Sequence, residues 1–322
     1  MDTLEIILGI TAGLALFLYG VTRLSFGLKK IAGDRMKRIL ERFTQNVLVA
    51  ILSGTVVTML LDSSSVTIIM VIALVNAGLV SFPRAIGVIM GANIGTTLSS
   101  QLFAFQIDEY SAILLIVGFF IYFVTKRKTM KYVGLLLFGF GLIFFGLGLM
   151  GHAVEPLKES DQFTHWLSSL ENPWKGVLFG GLITLIIQSS SATMGIVITL
   201  ANQDMISLAV GVSIMLGAEI GTCADTLMAS LGRSRDALRA GVFHVAFNII
   251  SVLIGILLYR SLAELAVWIS PGQNHARQIA NAHVLFNVGG VLLFAWFTRP
   301  IARLLERIIP DKIGRTARAA TG

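Results

Sequence analysis

The sequence predicts an all-α integral membrane protein: two inverted repeats, about seven full transmembrane spans and two re-entrant helical hairpins. Three observations predict it: a composition too apolar to coat a soluble globule, apolar stretches of bilayer length, and an ungapped internal repeat. Of 322 residues, 55% are hydrophobic and 13% charged, with a mean hydropathy of +0.81. Soluble domains carry roughly 25% charged residues, and no polar stretch here is long enough to form one separately. The net charge of +7 does not point to nucleic acid, because the bases sit in short flanks between apolar runs, as at membrane surfaces. The one cysteine, Cys223, excludes an intrachain disulfide.

A spanning helix needs about 20 mostly apolar residues. Segments 5–28, 85–106, 110–125, 132–151, 206–231, 241–259 and 279–298 read as spans. Asp2 and Glu5 precede the first one without a basic stretch, so it reads as a retained span rather than a cleaved signal. Two further runs, 47–80 and 176–203, fit neither one span nor two. The first, with 34 residues, would reach roughly 51 Å as one straight helix. Each is broken at its centre by a polar cluster, DSSS at 62–65 and QSSS at 188–191. Two half-length helices meeting at a polar tip predict a hairpin that enters and leaves the bilayer on one side, tolerated where protein or a wet cavity surrounds the break.

Loop charge sets the orientation, since cytoplasmic loops carry excess Lys and Arg. The stretches 29–42, 126–131 and 233–239, Arg84 and the tail from 299 hold 20 of the 25 bases. The alternate loops carry Asp108 and Glu109, then Glu155, Glu159, Asp161 and Glu171. Threading the spans and hairpins through these loops puts the amino terminus outside and the carboxyl terminus inside a cell membrane.

Shifting 54–103 by 126 positions onto 180–229 gives 16 identities in 50 residues. They cluster at SSSVT 63–67 against SSSAT 189–193, extend to Asn76 and Asn202, and recur at GANIGT 91–96 against GAEIGT 217–222. A weaker echo pairs LFLYG at 16–20 with LFGFG at 137–141. Residues 1–130 therefore form the first repeat, and 131–322 the second with extra carboxyl-terminal spans. Three full spans separate the two starts, so the halves are inverted. Inverted repeats with broken helices near the midplane are the architecture of secondary transporters.

The paired motifs QSSSAT and DSSSVT, with GANIGTT and GAEIGTC, resemble the sodium-dependent type II phosphate cotransporter family over roughly residues 10–300. The resemblance implies a phosphate carrier driven by sodium, moving in an elevator-like slide. It implies that Ser63, Ser64, Ser65, Ser189, Ser190 and Ser191 line the phosphate and ion sites. It also implies that Gln188, Asn93, Thr96, Thr97 and Thr222, with Thr67 and Thr193 at the ends of the serine motifs, take ion-coordinating positions. The expected partners are inorganic phosphate, Na⁺ and the lipid bilayer, with no organic cofactor and no nucleic acid; an oligomer is compatible with the sequence.

Physical chemistry points the same way. A broken helix exposes unpaired N–H groups at the positive end of its dipole, which makes an anion site without Arg or Lys. Small residues also pack membrane helices, and Gly91–Gly95 and Gly217–Gly221 fit that role as well. HVAFN 244–248 recurs as HVLFN 283–287, each with an upstream arginine, Arg239 or Arg277. His244 and His283 there are either proton carriers or, with Asn248 and Asn287, ties between helices.

Three residues depart from the family pattern: Asp62 for glutamine, Glu219 opposite Asn93, and Asp225 opposite Ser99. Ionisable side chains at depth are costly and functional by default. Asp62 and Glu219 are expected to serve the driving ions, as Na⁺ ligands or as proton carriers, and Asp225 either to join them or to pair with Arg233. Proton coupling, another small oxyanion and a passive channel are the alternatives. No G-x-S-x-G element or nucleotide-binding motif is present, so neither an enzyme nor an ATP-driven pump is expected.

Overall fold

The computed structural model describes residues 3–44, 46–105 and 108–311. Asp2 and, in the tail, Lys312, Arg315 and Arg318 lie outside the described residues. All regular structure among the described residues is helical. The first part comprises α1 (Thr3–Arg42), a broken pair α2 (Val47–Leu61) and α3 (Ser64–Asn76), then α4 (Phe82–Phe103), α5 (Asp108–Val124) and α6 (Lys128–Val154). After a short 3₁₀ turn and α7 (Asp161–Ser169) comes a second broken pair, α8 (Pro173–Ile187) and α9 (Ser190–Asn202). The chain ends with α10 (Leu208–Gly221), α11 (Cys223–Ser230), α12 (Arg235–Leu257), α13 (Tyr259–Trp268), α14 (His275–Ala295) and α15 (Thr298–Ile308).

Five stretches are long and apolar enough to cross a bilayer: Leu4–Ala32, Lys128–Glu159, Leu208–Ser230, Arg235–Leu257 and His275–Ala295. The chain is thus a multi-pass membrane protein. The expected spans 85–106 and 110–125 are not among the five. Helix α4 has 22 residues, but Gly, Asn, Thr and Ser dilute its apolarity and most of it is buried in protein. Helix α5, at 17 residues, is shorter than the usual span.

One expectation is corrected. The basic stretch 29–42 is not a loop, because α1 continues through it to Arg42 as a 40-residue helix. Lys and Arg are good helix formers, and Lys37 pairs with Glu41 one turn on, at 3.8 Å.

The two broken pairs share one local design. Thr58 donates to Thr67 at 2.9 Å, and Thr184 and Thr193 lie 2.7 Å apart. Nine residues of straight helix would separate such a pair by about 13.5 Å, so the arms fold back on each other. The reversal occurs at Asp62 and Gln188, the left-handed carboxyl caps of α2 and α8 with φ of 51° and 57°. The next residue caps the second arm: Ser63 accepts from Val66 N and Ser189 from Ala192 N, both at 3.2 Å.

Each first arm lies against its own GA-x-IGT helix, α2 on α4 and α8 on α10. A Cβ on Gly91 would collide with the carbonyl of Ile51, and one on Gly217 with that of Val177. Those pairs are related by the same 126-residue shift, so this glycine pattern is the packing surface of each repeat.

Two apolar cores follow the same division. One gathers α2, α3 and α4 around the Ala237, Ala240, Phe243 and Phe247 face of α12. The other gathers α9 and α10 around Ile279, Ala282 and Phe286 of α14, with Phe17 and Ile143 of α1 and α6. Helices α1 and α6, which carry the weaker sequence echo, pair antiparallel: Gly20 meets Gly139, and Gly13 meets Gly146.

Close backbone contact at Gly217 predicts that Gly217→Ala destabilises the purified protein by about 1–3 kcal/mol. Gly289→Ala, where a Cβ meets nothing within 4 Å, should leave the thermal midpoint unchanged or raise it. Equal midpoints for the two variants would refute the packing assignment. The serine caps make a second prediction: Ser189→Ala lowers stability by about 1 kcal/mol, and Ser189→Gly by only a few tenths. Chemical denaturation in detergent checks the order.

Candidate functional site

The site is built where each hairpin tip meets the other repeat. Second arm α3 packs on α11, and second arm α9 packs on α4. Ser65 Oγ lies 3.4 Å from Thr222 Oγ1, which joins the first tip to the end of the GAEIGT element. Ser64, Ser190 and Ser191 are buried in the first turns of α3 and α9, while Ser65 is half-buried. Ser63 and Ser189 use an oxygen lone pair to cap their helices. A hydroxyl also holds one hydrogen, so each keeps a donor for an anion.

The threonines divide into two groups. Thr67 and Thr193 are committed to joining the hairpin arms, each also donating to the carbonyl of Ser63 or Ser189. Their hydroxyl hydrogens are thus taken up by protein partners. Thr96 and Thr97 donate to Ala92 and Ile94 carbonyls and keep lone pairs free for a cation. Both are buried, as is Thr222.

Carboxylates occupy opposite members of an equivalent pair. In the first repeat Asp62 at the tip accepts a short hydrogen bond from Ser99. In the second repeat the tip residue is Gln188, which is exposed, and the equivalent of Ser99 is Asp225. Asp225 accepts from Thr226 N at 2.6 Å and is hydrogen-bonded to Ser65. Among the described residues it makes no ion pair with Arg233, so that expected pairing is not the one formed. Among the described residues Arg239 is the one Lys or Arg that is buried; its guanidinium is held at the start of α12 by Asp236, by Asp311 and by the Ile309 carbonyl.

The two HVxFN helices tie the repeats together by an exchanged set of bonds. On α12, Asn248 accepts from Asn93 at 2.8 Å, and His244 Nδ1 lies 2.6 Å from Thr226 Oγ1. On α14, Asn287 donates to Glu219 at 2.9 Å, and His283 Nδ1 lies 2.7 Å from Ser100 Oγ. Asn93 and Glu219 are equivalent positions, as are Ser100 and Thr226. Each helix therefore bonds both repeats, with the roles swapped. The reading of these histidines and asparagines as helix ties matches this geometry. Glu219 has one bond beyond the pattern: His283 Nε2 at 2.7 Å, to the same Oε1 that receives Asn287.

The sequence reasoning missed the partners of this layer and the role of the helix ends. Asn76 accepts from Ser234 N and Asn202 accepts from Asn274, so each hairpin's last residue is fastened to the start of α12 or α14. The recurrence of HVxFN was the available signal. It marks the helices but not the residues they reach.

Comparison with known proteins adds an independent finding. The chain is 33% identical over 308 residues to "Uncharacterized protein YqeW" of Bacillus subtilis, covering 95% of this chain and 99% of that one. It is 26% identical over 307 residues to "Putative inorganic phosphate export protein YjbB" of Escherichia coli K12, covering 95% of this chain and 56% of the relative. A 144-residue stretch is 31% identical to human "Sodium-dependent phosphate transport protein 2B", covering 40% of this chain and 21% of that protein. No solved structure matches. These relatives and the family place it among transporters rather than enzymes. With the family pattern described as Na+/Pi-cotransporter matching residues 16–152 and 155–298, the chain belongs to the Na+/Pi-cotransporter family.

Proposed function

We propose that the chain takes up inorganic phosphate together with Na⁺ by alternating access, its two repeats inverted across a cell membrane. One observation carries this reading: two broken-helix tips, each with a serine-capped amino-terminal half-helix end, are set against the opposite repeat with no buried base beside them. Helix amino termini and hydroxyl donors suit an anion. Freed carbonyls and side-chain oxygens suit Na⁺, a hard cation. In this reading Ser63, Ser64, Ser65, Ser189, Ser190 and Ser191 hold phosphate. Asp62, Gln188, Asn93, Thr96, Thr97 and Thr222 supply oxygens to Na⁺.

The antiparallel pairing of α1 with α6 and the exchanged bonds of α12 and α14 support inversion. With the amino terminus outside, the first hairpin then enters from the cytoplasm and the second from outside, making seven spans with α4 and α5 included. Movement is an elevator-like slide of each hairpin with its GA-x-IGT helix. The likeness to a protein named for phosphate export, over 95% of this chain, favours a second reading in which the net flow is outward. A coupled carrier runs in the direction its summed gradients dictate, so both directions fit one mechanism.

Labelled-phosphate flux in proteoliposomes tests the reading. Uptake into empty vesicles and efflux from loaded ones are measured under sodium, potassium and proton gradients in turn. Accumulation driven by sodium is expected; a folded protein that accumulates phosphate under none of these gradients overturns it, and flux indifferent to any co-ion indicates a channel. Asp62→Asn keeps a residue tolerant of the left-handed conformation and an acceptor for Ser99 but removes the charge. It should weaken sodium activation roughly tenfold, about 1.4 kcal/mol. An unchanged sodium curve would remove Asp62 from the ion site.

A further inference from the structure

We propose that Glu219, His283 and Ser100 form a buried proton-holding site that links phosphate transport to proton binding. The inference rests on the phosphate-carrier reading above and adds a second coupling ion. Its basis is a single break in the exchanged bonding pattern. At the matched position in the first repeat, the tie is neutral: Asn93 donates to Asn248. An amide therefore suffices to fasten the helices, and a tie needs no charge at 219. Glu219 instead places a carboxylate that is 4% exposed between Asn287 and a histidine that is 1% exposed, whose other nitrogen meets Ser100. The equivalent histidine, His244, has only the Cys223 thiol near its Nε2, at 4.0 Å.

The proton balance is explicit. Before the proton is taken up, in the proposed site, the Glu219 carboxylate accepts from His283 Nε2–H, and Nδ1 accepts from the Ser100 hydroxyl. One proton added at Nδ1 makes the imidazolium; both ring N–H groups then donate, and Ser100 turns its hydrogen away to accept. The pair goes from a charge of −1 to 0, and no other bond changes. Glu219 is not counted among the sodium ligands, since its Oε1 is already held twice.

The surroundings favour coupling to the anion. Thr222 lies one helical turn beyond Glu219 and faces Ser65 at the first tip, so phosphate there adds negative charge near the carboxylate. Of the other titratable groups nearby, α11 brings Cys223 and Asp225, α12 brings His244, and Asp62 is bound to Ser99, next to Ser100. Arg277, six residues before His283 on α14, is engaged by the Gln101 carbonyl and the Phe105 ring. Helix α9 brings none; α13 brings Arg260 and Glu264, and α8 brings Lys175 near its start. Phosphate bound beside these carboxylates adds like charge, which one added proton offsets. By reciprocity, a bound proton strengthens phosphate binding, and this contribution is lost as pH rises.

The test uses the full chain in proteoliposomes under a sodium gradient. Phosphate KM is measured across neutral pH, from about 6 to 8, for wild type, Glu219→Gln and His283→Asn. Glu219→Gln keeps an acceptor for His283 and Asn287 and is neutral. The ratio of wild-type to variant KM cancels the ionisation of phosphate itself. That ratio is expected to rise at least threefold from the acid to the alkaline end, while sodium-driven uptake persists in Glu219→Gln. A trapped pH dye should report proton entry with phosphate in wild type and less in the variant. A ratio constant with pH for both variants, with equal dye signals, overturns the proposal. If neither variant reconstitutes, Ser100→Ala must shift the midpoint of the pH profile, and an unshifted midpoint overturns it as well. If wild type accumulates no phosphate under any gradient, the carrier reading fails. The proton site is then still read from the pH dependence of the difference in Tm between wild type and Glu219→Gln, a flat difference overturning it.

Discussion

A helix interrupted inside an apolar layer leaves about four N–H and four C=O groups without intrahelical partners, and lipid offers nothing to satisfy them. With the breaks at membrane depth, as proposed, the arrangement of this chain answers that constraint. At each interruption a left-handed residue reverses the chain, the following serine caps the second arm, and a threonine pair fastens the arms together. The glycines of α4 and α10 let the first arms approach backbone to backbone, which seats each hairpin against protein along its first arm. In the proposed reading, the same amino-terminal helix end that needs a partner is the one that holds the anion. Structural demand and functional opportunity sit on the same atoms.

Helices α12 and α14 then hold the enclosed tips in register. Each reaches both repeats through one histidine and one asparagine, and each is fastened at its start to the end of a hairpin through Asn76 or Asn202. In the proposed cycle a hairpin cannot move without these bonds travelling with it or exchanging. The exchanged pattern supplies an equivalent partner set for the opposite arrangement, which is what two alternating states of similar energy require. The neutral ties suit that exchange, because no charge has to be uncovered while they part.

Much of this was legible in the sequence. Breaks at 62–63 and 188–189 follow from runs too long for one helix and interrupted by polar clusters, since hydrogen-bond satisfaction leaves few other ways to place such residues. The packing role of Gly91 and Gly217 was one of two readings, and the close backbone contacts select it. The helical course of 29–42 was not legible from charge alone, because basic residues mark a membrane face whether they lie in a loop or in a helix running past it. Thr67 and Thr193 look like site residues by proximity to the serines, yet their partners lie nine positions upstream on the other arm. The Glu219–His283 contact spans 64 residues. Its chemistry was visible at both ends, but only the fold brings the ends together.

The buried and half-buried carboxylates bear on why the proposed transport would be coupled. Asp62, Asp225 and Glu219 cluster near the tips, while the buried base, Arg239, is occupied at the start of α12 by Asp236, Asp311 and a carbonyl. Phosphate entering this region alone would meet like charge in a medium that screens poorly, where repulsion at close range exceeds what a helix terminus contributes. Cations or protons on the carboxylates remove that repulsion, so in the proposed cycle the anion and its co-ions bind together or not at all. Coupling then needs no separate gate. In this reading it follows from an anion site built of dipoles and hydroxyls, beside charged groups that are carboxylates.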